Sequence, residues 1–184
     1  RRLIMKSLIP LALAAFLFPG LVIAQNKTFD NSPLPSLDLG RYLGVWYEIA
    51  RFDHSFERDM DNVTAEYLLR DDGKIDVINS GWKNGKYKVA DGKARQPDPK
   101  ANPAHLEVSF FLFFYSPYNV MMIDEDYQVA LVGSGSPNYL WILSRTPAVD
   151  TDVLDAVLEE ASDRGYDISK LIWVDQDMNK ATVL

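Results

Sequence analysis

The chain has 184 residues, a formal net charge of −7, two histidines and no cysteine. The missing thiols exclude disulfides, thiolate metal sites and a lipid-modified cysteine. The acidic balance argues against a nucleic-acid partner and against an electrostatic grip on anionic membrane. His54 and His105 lie far apart in the sequence, so neither a metal site nor a cofactor is predicted.

The first 24 residues have the pattern of an export signal. Basic residues precede an apolar run, Leu8–Ala24, that ends in the small residue a signal peptidase needs. The alternative is a retained membrane anchor, but the run is short for a span and is broken late by Pro19. We expect Met5 to be the true start and cleavage to precede Gln25, which leaves residues 25–184 as one domain. Loss of the leader, with three basic residues and no acid, would lower the net charge from −7 to −10.

After a short helical turn at Leu37–Tyr42, apolar residues recur at every second position, which is the period of a strand. Turn sequences such as Asn84-Gly85 separate the alternating stretches. The predicted strands are Gly44–Phe52, Val63–Leu69, Lys74–Ser80, Lys86–Ala94, His105–Phe111, Tyr118–Asp124, Gln128–Gly133 and Tyr139–Ser144. Short consecutive strands imply antiparallel pairing, and closure removes both sheet edges. The predicted fold class is all-β, an eight-stranded antiparallel up-and-down β-barrel.

One helix follows the strands. Asp150 or Thr151 begins it, an apolar stripe from Val153 to Ala161 marks one face, and Gly165 ends it. A stripe this narrow needs one partner, so we expect the helix to pack on the outside of the barrel. The segment Leu171–Val174 offers a short ninth strand at the barrel edge.

Alternation also predicts which side chains point into the barrel. They mix small residues with aromatic residues that carry a polar tip, which favours an apolar pocket with a few polar groups over a close-packed aliphatic core. The predicted cavity residues are Ala65, Tyr67, Val77, Asn79, Leu106, Val108, Phe110, Val120, Met122, Val132, Tyr139 and Trp141.

Three features should meet at one end of such a barrel. Trp46 begins the first strand, and strand counting brings the turn Asp124–Tyr127 and the end of the eighth strand to the same end. Arg145 follows that strand, where its guanidinium can lie on the indole and donate to backbone carbonyls. We expect Gly44, Trp46, Asp124, Tyr127 and Arg145 to close this end.

These segments resemble the three motifs of the lipocalin family. The motifs are Gly44-Val45-Trp46, a variant form at Asp124–Tyr127, and Arg145 within Ser144–Pro147. Within the family, the stretches Gly44–Arg58 and Tyr139–Pro147 are most similar to the bacterial outer-membrane and apolipoprotein D-like group.

The resemblance implies a carrier or store of small amphiphilic lipids, such as fatty acids and lysophospholipids, that serves the cell envelope or membrane stress. Bacterial members of this group are typically lipoproteins whose leader ends at a cysteine, and Ala24-Gln25 stands there instead. We therefore expect an exported periplasmic or secreted protein without a lipid anchor, at most peripheral to the outer membrane.

If Trp46 marks the closed end, the mouth is formed by the loops Arg51–Asn62, Phe111–Pro117 and Gly133–Asn138. The run Phe110–Tyr115 stays apolar where one face of a strand would be wet. It either packs inward and against neighbouring loops or forms an apolar lip for membrane, ligand or a second copy of the chain in a homodimer. The residues predicted at the mouth and head group are Arg51, Phe52, His54, Phe56, Arg58, Phe113 and Tyr115.

Two other function classes compete with the carrier. An enzyme acting on a bound lipid would need a nucleophile beside a base, and the sequence has no Gly-x-Ser-x-Gly motif, although Glu48 can face inward with a raised pKa. A membrane-stress or assembly factor would use the apolar lip for a partner. We predict a non-enzymatic carrier.

Overall fold

The computed structural model describes residues 28–181, so the predicted signal segment and its cleavage lie outside the described residues. The strands are β1 (Gly44–Arg51), β2 (Met60–Leu69), β3 (Ile75–Lys83), β4 (Lys86–Arg95), β5 (His105–Phe111), β6 (Phe114–Ile123), β7 (Val129–Gly133), β8 (Leu140–Ser144) and β9 (Ile172–Trp173). The helices are α1 (Leu39–Tyr42), α2 (Thr151–Asp163) and α3 (Asp177–Lys180), with a 3-10 turn at Ile168–Lys170.

Strands β1 to β8 form a closed antiparallel barrel. Each strand pairs with the next one along the chain, and β8 returns to pair with β1. The predicted fold is therefore confirmed, with β9 outside the barrel and α2 on its surface. None of the helices between residues 28 and 181 is long and apolar enough to cross a membrane.

The connections alternate between the two ends because neighbouring strands are antiparallel. α1, the start of β1 and the β6–β7 turn lie at one end, the closed end. The opposite end, the open end, carries the connections at residues 52–59, 84–85, 112–113 and 134–139.

The β5–β6 connection differs from its prediction. The expected loop Phe111–Pro117 is a hairpin with the two-residue turn Leu112-Phe113, and Leu112 has a positive φ of 49°. β6 begins at Phe114 because the aromatic residues there pair with β5, as Phe111 pairs with Phe114. Pro117 follows within the strand opposite Glu107.

The chain after β8 covers one side of the barrel and fills a seam in it. Val157 and Ala161 of α2 are buried against an outer apolar cluster that includes Leu131. β1 pairs with β2 only over its first half, and β9 pairs with the end of β1. Between β1 and β2, the side-chain amide of Gln176 donates to the carbonyls of Glu48 and Val63, at 2.8 and 2.9 Å.

Candidate ligand-binding cavity

A single guanidinium organises the closed end. The Cζ atom of Arg145 lies 3.8 Å from the ring centre of Trp46, which is fully buried. The guanidinium nitrogens of Arg145 donate hydrogen bonds of 2.7–3.4 Å to the backbone carbonyls of Arg41, Tyr42, Leu43, Val45 and Tyr127. Gly44 has φ +93°, and a Cβ there would lie 3.5 Å from Arg145 Nη1, so the position requires a backbone that glycine adopts freely.

The β6–β7 turn completes this end. The Asp124 carboxylate accepts from the backbone N–H groups of Gln128 and Val129, both at 2.6 Å. The Tyr127 hydroxyl accepts from the backbone N–H of Asp38 at 2.9 Å, and the guanidinium carbon of Arg41 lies 4.1 Å from the Tyr127 ring centre. The five residues expected to close the barrel thus lie together.

Above this end lies a cavity of about 710 Å³, within the range of small-molecule sites. Its wall contains eight of the twelve predicted cavity residues: Ala65, Tyr67, Val77, Asn79, Val108, Phe110, Tyr139 and Trp141. Their contact with a ligand stays a prediction.

The other four predicted cavity residues lie elsewhere. Leu106, Val120 and Val132 belong to the core that contains Trp46 and fill the barrel below the cavity. Met122 packs against the outer cluster beneath α2. The pairing of β6 with β7 is irregular between Val120 and Met122, and this bulge reverses the alternation that placed Met122 inside.

The cavity wall contains two buried carboxyl groups, Glu48 and Glu57, and both residues contact Arg51 behind it. Arg51 Nη1 donates to Glu48 Oε1 at 2.6 Å, and Nη2 donates to the Glu57 carbonyl at 2.7 Å. The Glu57 carboxyl accepts from Trp141 Nε1 at 3.3 Å and from Asn79 Nδ2 at 3.4 Å. Burial, and then the charge of Glu57, raises the pKa of Glu48, and burial raises the pKa of Glu57. The two neighbouring carboxyl groups therefore hold their protons more strongly than exposed carboxyl groups do.

The predicted head-group cations are both already paired. Arg51 is only 2% exposed and holds Glu48 and the β1–β2 loop, so its side chain is not presented at the mouth. Arg58 is exposed, and its guanidinium makes a bidentate contact with Asp53 at 2.6–3.1 Å. Phe52 also departs from its prediction, because it packs in the outer cluster.

The imidazole ring of His54 packs against other aromatic rings at the open end. Its centre is 4.0 Å from that of Phe56 and 5.2 Å from that of Trp141. Its Nε2 is 3.3 Å from Glu57 Oε2, outside hydrogen-bonding geometry. Burial, and then the charge of Arg51, lowers the pKa of His54 to about 4, so the ring is neutral at physiological pH. No metal-binding cluster of three acidic or histidine side chains exists in the described part of the chain.

The remaining predicted mouth residues separate into two groups. Phe56 lines the cavity at its entrance, and Phe113 projects into solvent with 83% of its surface exposed. Tyr115 faces outward instead, with the guanidinium of Arg95 4.2 Å from its ring centre and the Lys93 ammonium 5.7 Å away.

The β3–β4 hairpin adds two mouth residues that sequence reasoning missed. Lys83 and Lys88 line the cavity, and neither has an ion-pair partner among the described residues. The sequence does contain the information needed to predict this position, because strand counting from Trp46 places the Asn84-Gly85 turn at the open end.

Three comparisons relate the chain to known proteins. The family model of a lipocalin-like domain matches residues 37–176. The chain is 49% identical over 143 residues to the outer membrane lipoprotein Blc of Escherichia coli, which covers 77% of this chain and 80% of that protein. It is 32% identical over 166 residues to apolipoprotein D of Mus musculus, covering 83% and 86%. The crystal structure of insecticyanin from the tobacco hornworm Manduca sexta superposes with a TM-score of 0.68 at 26% identity, covering 80% of this chain and 85% of that chain.

Proposed function

The chain belongs to the lipocalin family, whose members bind small hydrophobic ligands, and we propose that it carries a single-chain amphiphile with a carboxylate or phosphate in its head group, a fatty acid or a lysophospholipid, in its barrel. The observation that carries this proposal is the cavity of about 710 Å³, apolar along its wall and lined by two unpaired lysines at its mouth. Burying a hydrocarbon chain in such a cavity is favourable by about 0.8 kcal/mol per methylene group.

The head group belongs at the mouth. A carboxylate or phosphate there can accept from Lys83 and Lys88 while it stays hydrated, which avoids the cost of burying a charge. Arg51 and Arg58 are poorer candidates because Glu48 and Asp53 already neutralise them.

We also propose that the open end contacts a membrane surface from which the ligand is taken. Four consecutive residues of the phenylalanine hairpin (Phe110–Phe114), beginning at Phe111, are 58–83% exposed. Large contiguous apolar patches of this kind mark interaction sites. The lysine hairpin (Lys83–Lys88) is the neighbouring hairpin in strand order and carries three lysines, so it places positive charge beside the apolar patch although the whole chain is acidic.

An envelope or exported location fits these proposals. The relative in Escherichia coli is an outer membrane lipoprotein by name. The 184 residues here contain no cysteine to carry such an anchor, so contact through the open end would be peripheral. A homodimer through the same patch stays a prediction.

We favour a carrier over an enzyme acting on the bound lipid. His54 is not part of the cavity wall, and the Ser134 hydroxyl in that wall donates to the Pro117 carbonyl at 2.7 Å. The wall carboxyls Glu48 and Glu57 are occupied with Arg51 and Trp141.

Delipidated protein should be titrated with stearic acid, lysophosphatidylcholine and a neutral monoacylglycerol, with dissociation constants read from calorimetry. We expect Ala65→Trp, which fills the cavity, to abolish binding of all three. Replacing both cavity lysines (Lys83→Gln with Lys88→Gln) should weaken stearate about three- to tenfold and leave the monoacylglycerol unchanged, since exposed ion pairs contribute about 0.2–1 kcal/mol each.

The control is Lys100→Gln, the same type of substitution in the exposed β4–β5 connection at the closed end, where it removes one positive charge and should leave stearate affinity unchanged. Full stearate affinity in Ala65→Trp would refute the cavity as the site. Turnover of labelled phospholipid by the wild-type protein would favour the enzyme instead.

A further inference from the structure

One polar atom of the cavity wall has no hydrogen-bond partner among residues 28–181. Asn79 lines the cavity, its Nδ2 donates to Glu57, and its Oδ1 is buried without a hydrogen-bond donor. A buried acceptor left in this state costs about 1–3 kcal/mol. The cavity therefore favours an occupant that brings a donor to this point.

A second unsatisfied group comes from three tyrosines at the bottom of the cavity. The Tyr118 hydroxyl lies 2.6 Å from that of Tyr42 and 2.8 Å from that of Tyr67. Burial raises the pKa of all three, so all are protonated at neutral pH. Three hydroxyl hydrogens then serve two hydrogen bonds, and one hydrogen is left over.

The spare hydrogen faces the cavity. Tyr42 is fully buried and does not line the cavity, and a spare hydrogen there would be a buried donor without an acceptor. Tyr67 and Tyr118 both line the cavity, so the spare donor is on one of them. The bottom of the cavity therefore offers a donor, and Asn79 offers an acceptor.

These groups are neighbours on one face of the barrel. Asn79 pairs with Ala65 and Val77 pairs with Tyr67, so Asn79 and Tyr67 are diagonal neighbours on adjacent strands. Such positions lie about 7–8 Å apart, which is within reach of long side chains. We call Asn79, Tyr67 and Tyr118 together with the Glu48–Glu57 pair the inner polar patch.

The inner polar patch favours an uncharged group of a ligand. Glu48 pairs with Arg51, and a further charge brought here by a ligand would be buried without a counter-ion. A carbonyl satisfies only the donor, whereas a hydroxyl both donates and accepts.

We propose that the natural ligand carries a hydroxyl group within its hydrocarbon chain, and that the inner polar patch binds this hydroxyl. The proposal rests on the proposed function, because it assumes an anionic head at Lys83 and Lys88. Asn79 lies four residues below Lys83 on β3, or about 13 Å along the strand at 3.3 Å per residue. The hydroxyl therefore lies well inside the chain, away from the head group.

The test compares stearic acid with hydroxystearic acids whose hydroxyl is beside the carboxylate, in the middle of the chain or at the methyl end. We expect the mid-chain isomer to bind about five- to tenfold more tightly than stearic acid, and the isomer hydroxylated beside the carboxylate to gain nothing. The readout is the dissociation constant of stearic acid divided by that of each isomer, measured in each protein, so that a ratio above one is a preference for the isomer.

Two variants test whether the inner polar patch causes the preference for the mid-chain hydroxyl. In Asn79→Leu the ratio should fall to one or reverse, because the ligand hydroxyl would then be desolvated against an apolar side chain. In Tyr67→Phe it should fall about threefold. The matched control is Ser80→Ala, the next residue on β3, whose hydroxyl bonds to Thr64 on the outer face and should leave the ratio unchanged.

The outcomes separate the two proposals. If the wild-type protein binds every isomer no better than stearic acid, the inner polar patch does not select a hydroxyl, and the carrier function stands. If Asn79→Leu keeps the mid-chain preference, the hydroxyl site is elsewhere and the inference is wrong. If neither these acids nor lysophosphatidylcholine binds, the carrier function itself is refuted.

Discussion

Arginine and aromatic side chains have opposite environments at the two ends of the barrel. At the closed end, Arg145 covers a fully buried Trp46 and donates to backbone carbonyls of several segments. At the open end, Phe113 has 83% of its surface in solvent, and the exposed arginine, Arg58, pairs with the neighbouring Asp53.

The difference separates residues that stabilise the fold from residues that are free for a ligand or a surface. The hydrogen-bonding groups of the closed end are already used within the protein, so substitutions there should change stability. The apolar surface and the lysines of the open end make few contacts of their own, so substitutions there should change binding. The predictions below test this division.

The largest effect should follow loss of the guanidinium at the closed end. We expect Arg145→Met to lower the free energy of unfolding by about 3 kcal/mol, because it removes the contact with Trp46 and leaves carbonyls without donors. The control is Arg58→Met at the open end, which should change stability much less because its ion pair with Asp53 is exposed to solvent. Urea denaturation measures both, and equal losses would contradict the division.

The next effect should appear on membranes rather than in stability. We expect the double variant Phe111→Ser with Phe113→Ser to bind anionic phospholipid vesicles at least about tenfold more weakly, because two exposed rings no longer insert. Its free energy of unfolding should stay within about 0.5 kcal/mol of wild type. Vesicle sedimentation and urea denaturation give the two quantities.

The matched control changes apolar residues at the closed end. Leu68 and Leu69 are 42% and 58% exposed at the end of β2, and replacing both by serine should leave vesicle binding unchanged. A loss as large as that of the phenylalanine variant would show that the open end has no special role.

The smallest effect should be a pH dependence from His54. Its pKa is lowered to about 4, so between pH 6.5 and about 4 the unfolded chain binds more protons than the folded one. The stability that this shift contributes is therefore fully present above pH 6.5 and is lost progressively as the pH falls towards 4.

The comparison protein is His54→Phe, which keeps a ring to stack on Phe56 and lacks the titration. The difference in unfolding free energy, wild type minus variant, should decrease as the pH falls over this window. The groups that act on His54 are Arg51, Asp53, Glu57 and Arg58, and all four are present in both proteins. A difference that is constant with pH would refute the assignment.

The sequence predicted the barrel well and the site in part. Strand alternation and turn residues are local signals, so the eight strands and the partners of Trp46 were accessible to them. The bulge at Met121 was not, because an extra residue in one strand depends on its pairing with the next strand. That single irregularity moved Met122 from the cavity to the outer cluster.

Charge pairing was the other part that the sequence left open. Arg51 lies near the end of the first predicted strand and near several acids in the chain, and nothing local shows that it is buried with Glu48. In the sequence, the lysines of the β3–β4 hairpin simply flank a polar turn. The structure shows that Lys83 and Lys88 line the cavity.

By itself, the sequence determined the number and order of the strands, the closed end and the family, because these follow from side-chain period and from short motifs. Only the tertiary structure decided where the cavity ends, which lysines line it and where a polar atom of its wall is left without a partner among the described residues. Long polar side chains choose partners across the barrel, and those distances are set by register and bulges. The closed end marked by Trp46 and Arg145 thus follows from the sequence, while the chemistry of the cavity above it follows from the fold.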